Sequence, residues 1–136
     1  MGARYPWYLL ADSREGQLKE GEVTRAIPAD TPTYGRIRQG FVYKTTDGGQ
    51  TWKLVKFISD KAGFVDVAIH PRNPNIVFAT SWERRRTPYS LFSGGPGSGL
   101  WKSTDAGETW TEVKGGGFPA GYKGRMSLDI NLANPD

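Results

Sequence analysis

The chain has 136 residues, a formal net charge of +4, eighteen glycines, nine prolines, five tryptophans and no cysteine. This composition excludes a disulfide framework and thiol chemistry, and a single histidine without cysteine is a poor basis for a metal site. No stretch reaches the length and apolarity of a membrane span, and no helical 3.6-residue period is sustained, so an all-β chain of short strands and turns is expected.

In chain order, Trp7 to Ala11 forms a short apolar run, too brief and too polar at its flanks for a signal peptide. The long connection 14–39 follows. Strands are then expected at 41–46 and 51–57, 64–70 and 75–81, after which comes a second long connection, 82–98. The remaining strands are expected at 100–104, 109–114 and about 126–132. Basic residues gather at Arg84-Arg85-Arg86 and at Arg36 and Arg38 rather than in a continuous stripe, so nucleic acid is not an expected partner. Residues 93–99 are glycine-rich, but the Gly-Lys-Ser/Thr of a phosphate loop is missing, and no cofactor is expected.

Two segments repeat. Thr45-Thr46-Asp47-Gly48-Gly49-Gln50-Thr51-Trp52 matches Ser103-Thr104-Asp105-Ala106-Gly107-Glu108-Thr109-Trp110 at a spacing of 58 residues. Over 42–56 against 100–114, eight of fifteen positions are identical, which marks a repeat architecture. Pro6 to Ser13 likewise realigns with Pro74 to Ser81, and Gly63 to Pro74 with Gly124 to Pro135. Each motif lies between two β-prone runs and reads as a hairpin corner. Its aspartate can accept backbone N–H groups, Gly49 and Gly107 can take positive φ, and Trp52 and Trp110 can bury their rings against neighbouring sheets. Thr45, Asp47, Gly49, Thr51 and Trp52, with Ser103, Asp105, Gly107, Thr109 and Trp110, are therefore expected to be structural.

These motifs resemble the Asp-box, or bacterial neuraminidase repeat, of β-propellers, and the chain is most similar to the sortilin- and xyloglucanase-like group. Phe64 to Ala79, with Asn73-Pro74 between two strands, looks like the strand–turn–strand that opens each blade in that group. The resemblance implies about two four-stranded blades. Residues 1–57 would be a partial blade with insert 14–39, residues 58–117 a complete blade with insert 82–98, and 118–136 would bring the first strand of a following blade. A propeller needs about four to eight blades, so the ring would be closed by more of a longer chain or by copies of this one. The relatives are mostly exported, which implies a periplasmic or extracellular location.

The resemblance also directs attention to the two long connections, which in propellers gather on the ligand-binding face. In 82–98, Trp82 and Tyr89 could stack on a sugar, while Glu83 and Arg85 could bond hydroxyls or a carboxylate. The structural alternative has the aromatic residues packing the loop down and Glu83 paired with an arginine. In xyloglucanase-type relatives a catalytic aspartate stands just beyond the second strand. Arg14 and Trp82 occupy the matching positions here, which leaves Glu15 and Glu83, one place further on, as the nearest catalytic candidates. The Phe/Tyr-Arg-Ile-Pro signature of sialidases is missing. Two functions follow as expectations: a non-catalytic module binding a glycan or a protein, or part of a glycoside hydrolase completed by other blades.

Overall fold

The structure is a computed structural model, and it describes residues 8–12, 23–24, 41–59 and 61–136. Among the described residues the chain is all-β, with no helix, and its strands form two antiparallel sheets that remain open rather than closing on themselves.

The first sheet runs β1 (Tyr8–Asp12), β3 (Phe41–Thr45), β4 (Trp52–Phe57) and β2 (Val23–Thr24) in spatial order. β3 and β4 form the hairpin closed by the first repeated motif, with a register shift between Val42 and Tyr43. β2 comes from within the 14–39 connection and pairs with β4, Val23 opposite Lys53. The rest of that connection, Glu15 included, lies outside the described residues.

In the second sheet the order is β5 (Ala62–Ile69), β6 (Val77–Thr87), β8 (Gly99–Ser103) and β9 (Thr111–Glu112). β5 and β6 meet at the expected Asn-Pro turn, where the Asn73 carbonyl accepts the Ile76 amide. The turn is further tied by His70, whose Nδ1 accepts the amides of Arg72 and Asn73. β1, β3 and β4 are thus the counterparts of β6, β8 and β9, as the internal alignment requires.

The two sheets share a core. Val42 of β3 and Val55 of β4 pack with Phe64 of β5 and Ala79 of β6, and Ile58, Val67, Trp101 and Trp110 close its margins. On the opposite face of the first sheet, Tyr43 and Leu54 are fully buried beside Trp52 and Phe57. This two-sidedness follows from strand alternation: Val42 and Tyr43 are neighbours in sequence and point to opposite faces.

Two stretches differ from the sequence expectation. The 82–98 connection is no irregular loop: β6 continues unbroken to Thr87 and returns as β7 (Ser90–Ser93), Arg85 opposite Phe92. The turn chemistry explains this. Pro88 fixes φ at the first corner position, and the Thr87 hydroxyl accepts the Ser90 amide at 3.0 Å. Residues 126–132 pair with no strand among the described residues. Side chains of the second sheet hold them instead: Thr80 Oγ1 donates to the Met126 carbonyl, and Asp66 Oδ2 accepts the Leu128 amide.

Candidate functional site

The repeated motifs are built alike, atom for atom. In the first, Thr45 Oγ1 donates to Asp47 Oδ1 at 2.8 Å and accepts the Gly49 amide at 2.9 Å. Asp47 then accepts both the amide and the hydroxyl of Thr51, and Trp52 Nε1 donates to the Gly49 carbonyl at 3.1 Å. The second corner repeats every bond through Ser103, Asp105, Gly107, Thr109 and Trp110. The Thr51 hydroxyl, then its amide, draw the Asp47 carboxyl down to a pKa of about 2. Partial burial pushes Asp105 upward, but the Thr109 hydroxyl and amide and the Ser103 hydroxyl outweigh it, and its pKa also falls to about 2. Both aspartates are permanently ionised acceptors near neutrality, with their lone pairs engaged by the turn. They have no proton to donate in catalysis.

The second corner also reaches the first sheet. Glu108 takes Lys44 Nζ on one carboxylate oxygen and Lys53 Nζ on the other, both at 2.7 Å. The hydrogen bonds from Lys44 and Lys53 lower the Glu108 pKa. Position 50 in the first motif is glutamine, so the sequence held one signal of this contact, the charge difference between two otherwise matched motifs.

The β6–β7 hairpin carries the residues expected to meet a ligand, and it does not gather them into one pocket. Trp82 and Glu83 are adjacent on β6 and so face opposite sides of the ribbon. Trp82 lies against two guanidinium groups, Arg84 at 5.2 Å and Arg125 at 5.9 Å from the ring centroid. Its indole N–H is buried and has no acceptor among the described residues. Arg125 was invisible to sequence reasoning because it stands 43 positions from Trp82.

Glu83 is absorbed into the scaffold. Its Oε2 accepts the Gly97 amide at 2.8 Å, its own amide donates to Ser98 Oγ, and its carbonyl accepts the Gly94 amide. A Cβ at Gly95 would meet the Glu83 carboxyl carbon at 2.6 Å and one at Gly97 would meet its Oε2 at 2.9 Å, so these two glycines let the carboxylate approach the backbone. Glu83 pairs with no arginine among the described residues; a backbone amide takes the role expected of one.

Tyr89 stands at the hairpin tip, 97% exposed, with Leu91 and Phe92 beside it at 58% and 61%. Tyr89 and Phe92 therefore do not pack the segment down, whereas Trp82 is partly buried. Arg85 is exposed opposite Phe92. The ion pairs of the described residues involve Lys44, Lys53, His70 and Lys114, and none includes Arg84, Arg85 or Arg125. On the other side of the 95–98 turn, Glu112, Lys114, Phe118 and Tyr122 line a shallow open depression of about 410 Å³. Among the described residues no group of three His, Cys, Asp or Glu could hold a metal, and no helix is long and apolar enough to cross a membrane.

The chain is 24% identical over 95 residues to a vacuolar protein sorting/targeting protein 10 from Fusarium vanettenii, which supports a distant sortilin-like relation. That match covers 70% of this chain and 5% of the relative, so the chain spans a small part of the relative's length. No family model and no solved structure matches the chain.

Proposed function

We propose that the two sheets are neighbouring blades of an Asp-box β-propeller, and that the chain is a non-catalytic module of the sortilin-like kind that binds a protein partner at its β6–β7 end. The observation that carries this reading is the identity of the two corners, bond for bond, at equivalent hairpins 58 residues apart. A turn so fully engaged is a folding element, and repeated folding elements of this kind build radial sheets. The ring is completed by further blades, from a longer chain or from other copies, and its compartment is the secretory pathway or the cell exterior.

The non-catalytic part rests on Glu83. A glycosidase of the xyloglucanase type uses two carboxyl groups free to flank a bond, one protonated and one ionised. Glu83 is instead bonded to Gly97 and seated on a glycine turn, on the face of β6 opposite Trp82. Protein binding is favoured over glycan binding because the exposed aromatics sit on a projecting hairpin rather than in a cleft that could surround a sugar. Incubating the purified chain with xyloglucan and with a fluorogenic sialoside tests this reading. No product is expected, and turnover lost in Glu83→Gln would refute it.

A further inference from the structure

We infer that the β6–β7 hairpin is a docking edge for an extended, acidic segment of a partner protein, which adds to β7 as a further strand. The inference rests on the non-catalytic binding reading above and names the partner's chemistry.

Three observations converge. All four residues of β7 are exposed, and among the described residues β7 pairs only with β6; its outer edge offers backbone donors and acceptors along Ser90–Phe92, up to the point where Gly95 bridges Lys123 and Gly124 lies beside Ser93. Folded proteins ordinarily blunt such edges, and a projecting apolar one is a template for another strand. The side chains are those of a contact surface: Tyr89, Leu91 and Phe92 present large apolar area to solvent at the tip and along the edge. The charge is one-signed. Arg85 stands opposite Phe92, and Arg84 and Arg125 lie over Trp82 on the same hairpin. None of the three has a carboxylate partner among the described residues, and Glu83, the acid between Trp82 and Arg84, is committed to Gly97.

An acidic segment answers all three features. Its backbone would extend the ladder, alternate side chains would lie on Phe92 or on Leu91, and carboxylates would reach the arginines. A nucleic acid would meet the charge but make no use of an open β edge. Arginine suits this role better than lysine because its fork grips a carboxylate through two bonds.

The test is fluorescence anisotropy with a fluorescein-labelled decapeptide of alternating glutamate and valine, titrated with the full 136-residue chain. Saturable binding is expected, weakening as salt is raised. Arg85→Glu and Phe92→Ala should each weaken it about tenfold or more, while Arg85→Lys keeps part of the affinity. A peptide N-methylated at alternate residues, which cannot pair along an edge, should lose affinity by a similar factor. Both side chains are exposed, so melting temperatures should hold; if Arg85→Glu does not fold, Phe92→Ala and the N-methylated peptide decide. Absent binding overturns the proposal. So does binding indifferent to N-methylation, or a poly-thymidine strand binding as tightly and losing affinity with Arg85→Glu. Hydrolysis of xyloglucan or the sialoside is a separate result, which would sink the non-catalytic reading without touching these titrations.

Discussion

Replacing Asp105 by alanine isolates what a corner contributes to the fold. The carboxylate accepts three hydrogen bonds: the Ser103 hydroxyl at 2.7 Å, the Thr109 amide at 2.8 Å and the Thr109 hydroxyl. Both Thr109 donors are exposed, so water takes over when the carboxylate is removed, and their loss costs on the order of 0.5 kcal/mol together. Ser103 is different. It is 1% exposed, and its hydroxyl, which also holds the Gly107 amide, is left without an acceptor. A buried polar group orphaned in this way costs roughly 1–3 kcal/mol. The sum is about 2 kcal/mol, and for a domain of this size it lowers Tm by roughly 6 °C. Thermal unfolding followed by circular dichroism measures it. Ser103→Ala together with Asp105→Ala should cost less than the two changes added, because they share one bond. A Tm within a degree of wild type, or strict additivity, would refute the reasoning. Loss of ligand binding at unchanged Tm would show that Asp105 serves the site rather than the turn.

The other predictions follow from the same geometry. Asp47 and Asp105 both have folded pKa values of about 2, below the ordinary 3.8, so their contribution is complete above pH 4 and is lost as pH falls toward 2. Acid titration of unfolding should show that window, and Asp47→Asn with Asp105→Asn should flatten it. Ala106 sits at φ 59°, where the first corner has Gly48 at 71°, so Ala106→Gly should raise stability by up to about 1 kcal/mol. A fall in Tm would contradict that. Glu108→Ala removes one ion-pair partner from a lysine that is 8% exposed and one from a lysine at the surface. Discounted for the exposed half of the contact, a loss on the order of 1 kcal/mol is expected, read by denaturant titration. Gln50→Ala, at the matched position of the first motif, should have a smaller effect.

The all-β class and the corners were legible because their information is local. Thr45, Asp47, Gly49, Thr51 and Trp52 bond to one another within eight residues, so spacing alone predicts the turn and its duplication predicts the matched hairpins. What escaped depends on distant partners. Arg125 reaches Trp82 from a segment with no strand of its own, and Glu108 reaches Lys44 across 64 positions. The 82–98 stretch reads as a loop because it is polar and ends in glycines. Yet Arg84, Arg85 and Arg86 continue β6, since Thr87-Pro88-Tyr89-Ser90 makes a tight return and β7 supplies the pairing. In the sequence Glu83 shows only its charge. Its surroundings, Gly95 and Gly97, were in the sequence, but only the folded turn brings them under its carboxylate.

The central claim is that these sheets are blades of a larger ring, and the mass of the native particle tests it most directly. Multi-angle light scattering on the 136-residue chain, with a thermal melt on the same sample, makes the measurement. The proposal predicts a particle of several copies, whose sheets cover one another's edges and melt together. A well-folded monomer of 15.0 kDa with one sharp transition would contradict it.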